Sequence, residues 1–103
     1  MKTRVKICGI TKKKDALFAS NLGVDALGFV FYKDSPRYID PIDAGKIISC
    51  LHPFVLRVGL FVNNDAEFVT DSIIKSKINF LQFHGDESEE YCNQFNLPYI
   101  KAI

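Results

Sequence analysis

Apolar positions along the chain fall into short blocks that switch between strand-like alternation and helix-like spacing. Residues 4–8 alternate weakly, with Val5 and Ile7 on one face and Lys6 and Cys8 on the other, which predicts a strand between two different environments. Gly9 breaks that strand, and Thr11 stands as N-cap of a helix over 12–22, with Ala16, Ala19 and Leu22 on its apolar side and Gly23 at the C′ position. Residues 25–31 are almost continuously apolar, the pattern of a parallel strand buried on both faces, and Gly28 in their middle marks a close approach by another group. The stretch 32–39 is longer than a simple connection needs and is a candidate lid or substrate loop.

Asp40-Pro41 reads as an N-cap followed by proline at N1, after which Ala44, Ile47, Ile48 and Leu51 repeat at helical spacing. A third strand is expected over 54–62, with Asn63-Asn64 as its exit and cap, and Ala66, Val69 and Ile73 as the stripe of a third helix. Residues 78–83 predict a fourth strand. Asp86 with Glu89 three residues on resembles a capping box before a helix striped by Ser88, Tyr91, Cys92 and Phe95, and 98–103 open a fifth strand.

Five strands alternating with four helices, without a hairpin signal, predict an α/β fold of βαβ units with parallel strands in a single domain over 1–103. Two architectures satisfy this order, a doubly wound open sheet and part of a (β/α)8 TIM barrel. The Gly-x-Gly-x-x-Gly turn expected of the first is missing, as is any Walker-type loop. Polar residues recur at alternate strand positions: Lys6 and Cys8, Arg57 and Gly59, Gln82 and His84, then Lys101. A barrel interior near its mouth collects such groups, whereas a sheet covered on both faces tolerates few, so the barrel is the better reading.

Charge narrows the partners. Thirteen Lys plus Arg against twelve Asp plus Glu leave a net charge of +1, which provides no field of one sign for nucleic acid or an anionic membrane surface. No apolar run approaches the roughly 18 residues of a membrane span, and Met1-Lys2-Thr3-Arg4 leads straight into a strand, so a cytoplasmic protein is expected. The three cysteines, Cys8, Cys50 and Cys92, fit reduced thiols better than a disulfide framework and match no zinc spacing; Cys50 and Cys92 read as helix-face apolar residues.

Ligands of parallel α/β folds bind at the carboxyl ends of the strands. The residues expected there are Cys8, the Ser35-Pro36-Arg37-Tyr38 loop, Asn63, Gln82, His84 and Asp86. Each has a plainer explanation: a cysteine is often simply buried, Asn63 and Asp86 suit helix caps, His84 can satisfy a neighbouring carbonyl, and an exposed arginine is usually solvated.

Five segments in order and in register, Lys6-Ile7-Cys8-Gly9-Ile10-Thr11, 26–31, Ser35-Pro36-Arg37-Tyr38-Ile39, 58–63 and Leu81-Gln82-Phe83-His84-Gly85-Asp86-Glu87, resemble the phosphoribosylanthranilate isomerase family of tryptophan biosynthesis. The resemblance implies a TIM barrel, with this chain covering β1 to β5 as a half-barrel. It also implies an Amadori rearrangement of N-(5-phosphoribosyl)anthranilate to 1-(2-carboxyphenylamino)-1-deoxyribulose 5-phosphate, without cofactor or metal. By similarity Cys8 is the general base that removes the C2′ proton, and Arg37 grips the anthranilate carboxylate with its planar fork. Gln82, His84 and Asn63 line the mouth.

A whole barrel needs roughly 200 residues or more, and the family's aspartate acid and phosphate loops lie on later strands. The expectation is an N-terminal half, inactive alone, whose first and fifth strands are bare edges and whose Lys6, Arg57 and Lys101 lack whatever acidic partners the missing half supplies. It would associate with a second copy or with the missing C-terminal half. The alternatives are a non-catalytic half-barrel that self-associates and another phosphate-binding barrel enzyme such as indole-glycerol-phosphate synthase, whose strand-one chemistry is expected to use lysine.

Overall fold

A computed structural model describes residues 4–102. The elements alternate as anticipated: β1 Lys6–Cys8, α1 Lys13–Asn21, β2 Ala26–Val30, α2 Pro41–Ile48, β3 Leu56–Phe61, α3 Ala66–Ser76, β4 Phe80–Phe83, α4 Glu89–Asn93 and β5 Tyr99–Lys101. The strands form one sheet in sequence order, β1-β2-β3-β4-β5, and every neighbouring pair is parallel. This is half of a (β/α)8 barrel. Among the described residues no helix is long and apolar enough to cross a membrane.

Register assigns each side chain a face, because successive residues of a strand point to opposite sides. Ile7, Leu27, Arg57 and Tyr99-paired Leu81 share one face, continued by Phe29, Phe61 and Phe83. That face meets the helices: Leu27, Phe29, Phe61, Leu81 and Phe83 are fully buried in one cluster with Ala16, Ala44, Ile47, Val69 and Cys92. Phe61 and Phe83 carry the aromatic part, with ring centroids 6.1 Å apart and Phe31, Phe95 and Tyr91 around them. Burying each such ring stabilises the fold by about 1.5–3 kcal/mol.

The other face carries Lys6, Cys8, Ala26, Gly28, Val30, Val58, Leu60 and Gln82. Lys6 Nζ donates to Gln82 Oε1, linking β1 to β4 over the two strands between them. Three strand spacings amount to about 14 Å on a flat sheet, so the two side chains meet only because the sheet curves toward this face, as a barrel wall does. The polar residues expected to line one interior therefore divide. Lys6, Cys8 and Gln82 face the curve, whereas Arg57, Gly59 and Lys101 lie on the helix-covered side. A shift of one residue in reading phase exchanges the faces.

Several local expectations are corrected. α1 begins one residue late, with Lys12 as N-cap and no side-chain cap bond, so Thr11 does not cap it. Asp65 rather than Asn63 or Asn64 caps α3, accepting from Phe68 N at 2.8 Å, and Ser88 rather than Asp86 caps α4, accepting from Tyr91 N at 3.1 Å. In both loops the chain needs extra residues to turn before the helix starts; Asn63 does so with φ 51°. Phe54 and Val55 stay outside β3, and Cys50 lies exposed beyond α2 instead of on its apolar face. Asp40 caps α2 as expected, accepting from Ile42 N at 2.8 Å, with Pro41 at N1.

Candidate active site

β1 ends on Cys8 because Gly9 follows with φ 86°, a conformation that glycine adopts without strain. The N–H groups of Gly9 and Ile10 both reach the Gly28 carbonyl at 3.0 Å, which turns the chain sharply over the β2 neighbour. The Cys8 thiol lies against Gly28: a methyl group there would sit 3.0 Å from Sγ. The close approach expected of Gly28 is thus made by Cys8, which remains partly exposed.

The 32–39 loop does not swing free. Tyr38 pairs with Val30 in an isolated parallel bridge, Ile39 N donates to Val30 O at 3.0 Å, and inside the loop Tyr38 N donates to Ser35 O and Arg37 N to Ser35 Oγ, both at 3.1 Å. The Tyr38 phenol is pushed up from its ordinary range by burial and by the charges of Asp40 and Asp43, so it stays protonated. This folding returns Arg37 to the β1 exit. Its Nη1 donates to the Cys8 carbonyl at 3.4 Å, and its side chain passes so close over Gly9 that no Cβ fits there. Residues 29 apart in sequence thus meet at one strand exit.

Gln82 lies on the same face as Cys8, with its side-chain oxygen taken by Lys6. His84 follows β4 with an exposed side chain, and its N–H donates to Phe61 O at 2.9 Å. Asn63 holds the β4 exit: its Oδ1 accepts from Asp86 N at 2.8 Å. Cys8, Arg37 and Gln82 thus belong to the β1 side and curved face, while His84 and Asn63 sit on the far rim.

Sequence reasoning missed Lys6 as the partner of Gln82, and it missed Glu87. The Glu87 side chain is 3% exposed and accepts from Asn63 N through Oε2 at 2.8 Å and from Gly85 N through Oε1 at 2.9 Å. Lys101 Nζ lies 3.5 Å from the same carboxylate and donates to the Gly85 carbonyl, so Lys101 finds an acidic partner within this chain. Nothing in the spacing of a loop glutamate marks it as buried. Arg57 does have an unsatisfied buried Nε.

Among the described residues no group of three His, Cys, Asp or Glu is placed to hold a metal ion. A cavity of about 410 Å³ lies at the opposite end of the sheet, beside Asn21, Asp25, His52 and Phe54.

The family model described as N-(5'-phosphoribosyl)anthranilate (PRA) isomerase matches residues 5–103. The chain belongs to that family. The N-(5'-phosphoribosyl)anthranilate isomerase of Nitrosospira multiformis is 54% identical over 103 residues, which cover all of this chain and 50% of that protein. A solved phosphoribosylanthranilate isomerase in complex with reduced 1-(o-carboxyphenylamino)-1-deoxyribulose 5-phosphate superposes with a TM-score of 0.93 at 48% identity, covering 97% of this chain and 53% of that one. A monomeric variant of the dimeric isomerase of Thermotoga maritima superposes at 0.91 with 45% identity, covering 97% and 52%. The chain spans about half the length of the curated relatives it matches.

Proposed function

We propose that this chain supplies the β1-to-β5 side of a phosphoribosylanthranilate isomerase active site, acting in the cytoplasm on N-(5-phosphoribosyl)anthranilate. The observation that carries the reading is the meeting of Cys8 and Arg37 at the β1 exit, on a sheet curved toward the face of Cys8. Cys8 Sγ, as general base, removes the proton from C2′ of the ring-opened imine, and the resulting enamine tautomerises to the aminoketose. Arg37 binds the anthranilate carboxylate, where a planar bidentate donor fits a planar acceptor. This fixes the substrate so that its C2′ faces the thiol. Gln82, His84 and Asn63 border the substrate, Gln82 oriented by Lys6. Protonation of the ring oxygen and capture of the phosphate belong to groups outside these residues.

The small-molecule ligand is supported by the relative solved with a reduced product analogue. Association with a second copy is supported by the dimeric Thermotoga maritima relative, and association with a C-terminal half by the exposed Ile7 and Ile100 on the outer strands of the sheet. The test is conversion of N-(5-phosphoribosyl)anthranilate by the full-length protein, with the aminoketose separated and quantified. The reading predicts formation well above the uncatalysed rate and its collapse in Cys8→Ser. Product formation no faster than in buffer would remove it.

A further inference from the structure

The exits of β3, β4 and β5 converge on one buried carboxylate. Glu87 accepts the Asn63 N–H on one oxygen and the Gly85 N–H on the other, so a single side chain holds two separate loops. The same two loops are joined in return by Asn63 Oδ1 and Asp86 N. Gly85 has no room for a side chain, because a Cβ there would run into the Asn63 amide. Lys101 closes the arrangement from β5, balancing the carboxylate and donating to the Gly85 carbonyl. Tyr91 adds a fourth tie by donating to Asn64 O.

A carboxylate with 3% exposure is costly to bury and is kept only with compensation by donors and charge. A fold that needed only a loop at this point would manage with a solvated one. The compensation here is directed at the two backbone groups that flank the rim positions Asn63 and His84. We infer that Glu87 and Lys101 form a positioning pair, which fixes the β3 and β4 exit loops so that Asn63 and His84 face the substrate. The inference rests on the isomerase reading for the identity of that substrate, and on the hydrogen-bond geometry alone for the loops.

Glu87→Gln offers one acceptor oxygen in place of two and removes the charge opposite Lys101. In the full-length protein the expected result is amide hydrogen exchange at least tenfold faster at Asn63 and Gly85, with Leu27 and Leu81 in the core strands unchanged. Isomerase kcat/KM is expected to fall about tenfold under conditions where the variant is fully folded, and Glu87→Asp recovers part of it. Lys101→Met, which leaves both N–H bonds to the carboxylate in place, shows the smaller acceleration at Gly85 and serves if Glu87→Gln does not fold. Exchange unchanged at both loop amides, or faster equally in all strands, would overturn the pair as a positioning device. So would local exchange that rises while kcat/KM stays at the parent value. A parent protein without isomerase turnover sinks the isomerase reading instead, and the exchange pattern still decides whether the pair fixes the loops.

Discussion

The two sides of the strand-end rim are built on opposite plans. At the β1 exit, few bonds are made, and those that exist leave the chemistry exposed: Arg37 touches the Cys8 carbonyl and the thiol rests on Gly28. At the β3, β4 and β5 exits, polar atoms are consumed by one another through Glu87, Lys101, Asn63 and Tyr91. On the proposed isomerase reading, the first side reacts and grips. The second is a frame. Residue type alone does not separate the two, since an asparagine and a glutamate on the frame look as functional in sequence as an arginine beside a thiol.

Substitutions on the reacting side should damage activity and spare stability. Cys8→Ser in the full-length protein is expected to lower kcat by about 10²–10⁴-fold, the usual worth of a positioned general base, with KM little changed. Steady-state kinetics checks this, and near-normal turnover would move the base elsewhere. Arg37→Ala is expected to raise KM by roughly tenfold to a hundredfold, the equivalent of about 1.5–3 kcal/mol for a charge-assisted contact, with a smaller effect on kcat.

Substitutions on the frame should act first on stability and local order, and on activity only through the loops that Glu87 and Lys101 hold. Tyr91→Phe loses the bond to Asn64 O, about 1 kcal/mol by denaturant titration near neutral pH. It also changes the alkaline limb of stability. Burial, and then the charges of Glu87, Asp65 and Cys92, push the Tyr91 phenol up from 10.0 to about 12. With the folded-state value above the unfolded one, its stabilisation is complete below pH 10 and declines as pH rises toward about 12. The parent should therefore lose stability across that window, and the phenylalanine variant should lack this component of the slope. A pair of caps ends the series: Asp65→Ala is expected to destabilise by about 1 kcal/mol, and Thr11→Ala, the smallest effect, by close to nothing, since Asp65 accepts from Phe68 N while α1 has no side-chain cap.

That pair also shows what the sequence reveals and what it hides. The order of nine elements is legible because each apolar block has a period and a breaker, most clearly at Asp40-Pro41 and along Ala44, Ile47 and Ile48. Caps were misplaced where a loop needs residues to turn before its helix, as at Asn63 with its positive φ. The faces of Arg57 and Lys101 went wrong because inside and outside differ by one residue, and only pairing with β2 and β4 fixes the phase. Of the site, Cys8 and Arg37 were legible through the motifs that carry the family resemblance, and their proximity came from the Tyr38–Val30 bridge, which no local pattern encodes. Glu87 escaped because its burial depends on Lys101 of β5 and on the β3 exit loop at Asn63, both distant from it in sequence.

The three thiols allow the division of the rim to be tested in one experiment. Cys50 is exposed, Cys8 stands at the β1 exit, and Cys92 is buried on the core side of α4, where burial and the charge of Glu87 push its thiol up and favour the unreactive form. Iodoacetamide labelling of the full-length protein, followed site by site by peptide mass spectrometry, should modify Cys8 and Cys50 and spare Cys92. Saturating reduced 1-(o-carboxyphenylamino)-1-deoxyribulose 5-phosphate should slow labelling at Cys8 at least tenfold and leave Cys50 unchanged. Equal labelling of Cys8 with and without the ligand, while the ligand is bound, would contradict the account.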